Sequence, residues 1–72
     1  MTEPRAFVEV PNRAGDPMLI DPASVVAVVP LYGQRRVGYL PSIEGTTIHL
    51  VGGLELHTSE GVIEVRELLL NA

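Results

Sequence analysis

Seventy-two residues with no cysteine and a net charge of −4 limit this chain to one small domain without disulfide staples or thiolate metal sites. The acidic balance removes a general affinity for nucleic acid, which rests on neutralising phosphates, but leaves room for a local basic patch. The apolar fraction is 46%, mostly aliphatic with one Phe and two Tyr, and a small fold of this kind commonly uses association as its staple, so a homo-oligomer is expected. No apolar run approaches a membrane span, and residues 1–6 carry no apolar signal region. A soluble cytoplasmic protein without membrane contact is therefore the expectation.

Residues 1–5 read as a loose tail on a single domain that covers residues 1–72. Residues 6–10 (Ala-Phe-Val-Glu-Val) form a first strand stopped by Pro11, and the Asn, Gly, Asp and Pro of residues 12–17 mark a turn. Residues 18–20 form a second strand and hairpin partner. Asp21 ahead of Pro22 then supplies an N-cap for one helical turn. Residues 24–29 are nearly all apolar, the pattern of a central strand covered on both faces, and Pro30 is expected to end it. Residues 30–45 follow as a long loop or ribbon with two prolines, three glycines, both tyrosines and the adjacent Arg35 and Arg36. Residues 37–40 could extend briefly as the far arm of a ribbon. Stretches of this length are usually functional or disordered.

The period-2 alternation of Ile48, Leu50, Leu54 and Leu56 with His49, Glu55 and His57 predicts a hairpin. A three-residue loop of Val51, Gly52 and Gly53, with Gly53 left-handed, sets Leu50 opposite Leu54 and Ile48 opposite Leu56. A two-residue loop would scramble the faces. Thr58 or Ser59 then offers an N-cap, and Glu60 sits near the positive end of a terminal helix. Val62, Val65 and Leu69 form its apolar stripe with Ile63 and Leu70 beside it. A strand over residues 62–68 competes, because Gly61 and the β-branched residues weaken the helix. The expected fold is mainly β (α+β): a small antiparallel sheet of four or five strands with a short C-terminal helix, packed as an oligomer. Its expected core is Phe7, Val8 or Val10, Leu19, Val26, Val28, Ile48, Leu50, Leu54, Leu56, Ile63 and Leu69. Residues 68–70 are too apolar for a solvated end and should meet a partner subunit.

Two constellations could carry chemistry. In the expected register His49 faces Glu55, with His57 diagonal on the same polar face, close enough in principle to share a divalent metal. The same pattern also describes ordinary surface residues. Tyr32, Arg35, Arg36 and Tyr39 could stack on a base and grip a phosphate, or simply form a solvated ribbon tip whose tyrosines pack on a neighbour. No serine elbow, glycine-rich phosphate cradle or nucleophile–histidine–acid set is identifiable, so neither catalysis nor a cofactor is expected.

The order Phe7-Val8-Glu9-Val10, Leu19-Ile20-Asp21-Pro22, residues 25–29, Thr47-Ile48-His49-Leu50-Val51-Gly52-Gly53 and Ser59-Glu60 resembles the small FlbD-like proteins found near flagellar genes and in bacteriophage and mobile elements. The match spans about 45 of the 72 residues. It differs from that pattern in the greater length of residues 30–45 and in Gly61-Val62-Ile63 where helix formers would stand. The resemblance implies a small non-catalytic accessory protein of bacterial or phage origin, and carries over no catalytic residue. The expected function is a non-catalytic, oligomeric binding or regulatory module with a protein partner. The alternative is a binder of nucleic acid or an anionic nucleotide-like molecule through the Arg35/Arg36 loop at a subunit interface.

Overall fold

A computed structural model describes residues 7–71, apart from the side chains of Arg35 and Val37. The expected tail at residues 1–5 and Ala6 of the first strand lie outside the described residues. The elements are β1 (Val8–Pro11), β2 (Pro17–Ile20), a 3-10 turn (Pro22–Ser24), β3 (Val25–Val37), β4 (Leu40–Leu50), β5 (Glu55–Thr58) and α1 (Val62–Leu70). The chain is mostly β. Its strands divide into a two-stranded sheet, β1-β2, and a three-stranded sheet in the order β3-β4-β5, both antiparallel. A single sheet of four or five strands is therefore not formed.

The first hairpin turns on Asn12, whose Oδ1 accepts from the backbone N–H groups of Ala14 and Asp16 at 2.9 Å each, an Asx turn that competes well with any extended path. Gly15 at φ +91° completes it. The resulting register, Val8↔Ile20 and Val10↔Met18, puts even-numbered residues of both strands inward. Val8, Val10 and Ile20 are buried, whereas Leu19 opposes Glu9 on the outer face and is 69% exposed. Leu19 and Phe7 thus leave the expected core, and Ile20 enters it. Asp21 caps the 3-10 turn as expected, its Oδ1 accepting from Ala23 N–H at 3.0 Å.

Strand β3 runs through Pro30 to Val37 rather than stopping at the proline. It is also an edge strand, not a central one. The two corrections share one cause: a residue with no N–H donor is tolerated where one side of the strand has no neighbour to bond. A register shift between Val25 and Ala27 expels Val26, which is exposed, as is Val29. β4 takes the central place.

The second hairpin has the expected register, with Ile48 opposite Leu56 and His49 opposite Glu55. Leu50 N–H donates to the Leu54 carbonyl at 2.8 Å across the three-residue loop. Both Gly52 and Gly53 have positive φ there, at +89° and +87°. Leu54 shares the face of Ile48 but lies at the end of the ribbon and is exposed.

The terminal segment is helical, with Val62, Val65 and Leu69 turned inward and Ile63 and Leu70 exposed. The cap differs from the expectation. Gly61 is the N-cap and makes no side-chain cap bond. Thr58 instead turns its Oγ1 to the Glu60 N–H at 3.1 Å, and Thr46 donates its hydroxyl to the Glu60 carbonyl at 2.8 Å. A threonine prefers whichever orphan backbone group lies nearest, and here that is two residues before the helix. Thr46 and Thr58 are fully buried. Replacing Thr46 by Val keeps the shape but leaves the Glu60 carbonyl unpaired. We expect a loss of about 1–3 kcal/mol, read as a lower denaturant midpoint with unchanged slope.

The core lies where the two sheets and α1 meet. Val8, Val10, Ile20, Ile48 and Val65 are buried, and Met18, Val25, Val28, Leu50, Leu56 and Leu69 pack around them. Beyond Thr46, opposite the last residue of β5, the sheet loses its third strand. From Leu31 and Gly45 outward, β3 and β4 continue as a two-stranded arm, closed by Gly38 and Tyr39 between the pair Val37↔Leu40. Gly38 has φ +66°, as a two-residue hairpin turn with glycine first requires.

Candidate functional site

Residues 30–45 run as the outer parts of β3 and β4, so Tyr32 and both arginines lie on a strand and Tyr39 in the turn that joins the two. Tyr32 opposes Ile43 and Arg36 opposes Pro41. Tyr32, Ile43 and Leu40 are all exposed, and Tyr39 at the tip is 97% exposed. Arg36 is exposed, and its Nη1 reaches the Tyr39 carbonyl at a long 3.5 Å. Among the described residues Arg36 has no carboxylate partner. The side chain of Arg35 lies outside the described residues. Arg36 and Tyr39 are therefore brought together at the far end, while Tyr32 is set back along β3.

The arm is anchored at its base. Arg13 of the first turn bonds Glu44 of β4 at 3.1 Å, linking the two sheets. Gly33 lets the Glu44 side chain cross β3, since a β-carbon there would overlap the Glu44 carboxyl group. Both partners are partly exposed, so this pair orients more than it stabilises.

On the outer face of the three-stranded sheet, His49 Nδ1 lies 3.3 Å from Glu55 Oε1, a cross-strand pair that becomes ionic when the imidazole is protonated. His57 does not join it. Its Nδ1 lies 3.0 Å from Thr47 Oγ1 in a hydrogen bond whose direction follows the tautomer. Thr47 sits directly opposite His57 in the register, so the hydroxyl is the nearer partner. Among the described residues no three His, Cys, Asp or Glu side chains gather as a metal-binding group.

A groove lies between β1 and α1. It is lined by Glu9 and Pro11 on one side and by Glu60, Ile63, Glu64, Glu67, Leu68 and Asn71 on the other. Its lining combines apolar side chains, Ile63 among them at 63% exposed, with four glutamates. Only Glu67 has a cation close by, Arg66 at 3.4 Å, among the described residues. The partial sequence signal is the i, i+3 spacing of Glu64 and Glu67, which α1 gathers on one face, with Glu60 just ahead of the helix. Glu9 joins them only through the fold.

Comparison with protein-family models, with curated proteins and with solved structures gave no match for this chain. Among the described residues no helix is long and apolar enough to cross a membrane.

Proposed function

We propose that this protein is a non-catalytic binding or regulatory module that acts as a homo-oligomer. The observation that carries the reading is the imbalance between what is buried and what is not. Among the described residues five hydrophobic side chains are buried, while Phe7, Leu19, Val26, Val29, Tyr32, Tyr39, Leu40, Ile43, Val51, Leu54, Ile63, Leu68 and Leu70 are exposed. A core this small supplies only about 3–5 kcal/mol, and exposed apolar surface on this scale normally marks an interface. The arm adds a recognition element that makes no contribution to the core.

The FlbD-like resemblance, with its implication of a small bacterial or phage accessory protein, points the same way. A second reading, the capture of an anionic ligand or nucleic acid, draws support from Arg36 beside the exposed Tyr39 at the tip. The first test is the mass in solution by light scattering. We expect a particle larger than the 7.8 kDa chain at low micromolar concentration. A single-chain mass would overturn the oligomeric module and leave the anionic-ligand reading, for which a short single-stranded oligonucleotide is the probe.

A further inference from the structure

We propose that the β3–β4 arm of one copy docks in the β1–α1 groove of a second copy, and that Arg36 meets the groove's glutamates. This inference rests on the oligomeric reading above and assigns its contact. The two surfaces are complementary in both respects that matter. The arm offers exposed Tyr32, Tyr39, Leu40 and Ile43 together with Arg36, which has no carboxylate partner among the described residues. The groove offers Ile63, Leu68 and Pro11 together with Glu9, Glu60, Glu64 and Glu67.

A basic, aromatic tip and a groove lined by apolar side chains and glutamates form a typical interface pair. Aromatic and Arg side chains dominate binding energy, and opposite potentials fix the register. Among the described arginine side chains, Arg36 is the one without a carboxylate partner. Arg13 is held by Glu44 and Arg66 by Glu67.

The groove's own arm does not fill it. The ribbon leaves the body at Gly45 and runs to the pair Val37↔Leu40, with irregular pairing between Tyr32 and Arg36. None of the residues lining the groove belongs to the arm of the same chain, so the occupant is assigned to another copy. Because arm and groove are different surfaces, each contact is heterologous, and the assembly closes either by reciprocal exchange about a two-fold axis or as a ring.

The test is a charge-reversal cycle in the full chain, read by concentration-dependent light scattering and checked by far-UV circular dichroism. Arg36→Glu and Glu67→Arg are both at exposed positions, and Arg at position 67 suits the C-terminal half of the helix. Each single change is expected to weaken self-association by about ten-fold or more, and the double variant to restore most of it. Tyr39→Ser should weaken association without any change of charge. A monomeric wild type would overturn the oligomeric reading and this contact together. An oligomeric wild type whose mass is unmoved by both reversals would overturn the contact alone, and would assign the groove to a different occupant.

Discussion

Gly45→Ala is expected to be the most damaging single substitution in the chain, lowering Tm by about 15 °C or more. The reason is the backbone and not a side-chain contact. Gly45 has φ +158° and lies where β4 passes the end of β5, and a β-carbon built there overlaps the Thr58 carbonyl oxygen and stands 3.0 Å from Ser59 Cα. Neither atom can step aside. Thr58 pairs with Thr46 in the sheet and also holds the Glu60 N–H, so moving it disturbs the approach to α1. Forcing a methyl group between two backbones costs about 3–5 kcal/mol, against a total stability of about 4–10 kcal/mol for a domain of this length. Gly52→Ala is the control. It has φ +89° but nothing within 4 Å of its added carbon, so it bears conformational strain alone, about 1–2 kcal/mol. Equal melting of the two variants would mean that the close approach of β4 and β5 does not exist in solution.

The features legible from sequence were those whose cause is local. The Gly52-Gly53 loop and the alternation around it fixed the Ile48↔Leu56 pairing, because a one-residue slip would have turned every apolar side chain outward. Asp21 before Pro22 is a cap at any site that allows one helical turn. The apolar spacing of Val62, Val65 and Leu69 was enough to identify the inward face of α1.

What was not legible depends on partners that are distant in sequence. Pro30 reads as a strand breaker, and only the strand order makes it acceptable at an edge. Leu19 and Ile20 are equally apolar, and the choice between them is made by a pairing that starts at the Asn12 turn. Thr58 has the chemistry of an N-cap, yet the buried position of the segment gives its hydroxyl to Glu60 N–H instead.

The candidate site divides along the same line. Tyr32, Arg35, Arg36 and Tyr39 could be singled out because they cluster in a short stretch; the arm brings Arg36 and Tyr39 together at its tip and exposes Tyr32 further back along β3. The pair His49 and Glu55 followed from the hairpin register, but His57 was claimed by Thr47, a residue whose burial no periodicity announces. The acidic groove combines Glu9 with residues from the other end of the chain. No motif records such a juxtaposition, which is why an interface is harder to read from one sequence than a turn.

Ile48→Ala is the second variant for which a large effect is expected, about 3–4 kcal/mol. Ile48 is fully buried on the central strand β4 and belongs to the small cluster shared by the first hairpin and α1. In so small a core few neighbours are free to collapse into the space, so most of the cavity should persist. Leu54→Ala removes a side chain on the same ribbon face that is 57% exposed, and in an isolated chain should change stability by only about 0.5 kcal/mol or less. Calorimetric melts of both variants, each run over a range of protein concentration, therefore separate two sources of stability. If association contributes, the wild-type Tm rises with concentration, because anything that binds only the folded state stabilises it by mass action. Ile48→Ala should then lower Tm at every concentration while keeping that dependence, since it acts inside the subunit. Were Leu54→Ala to abolish the dependence, the exposed Leu54 end of the β4–β5 hairpin would belong to the interface as well.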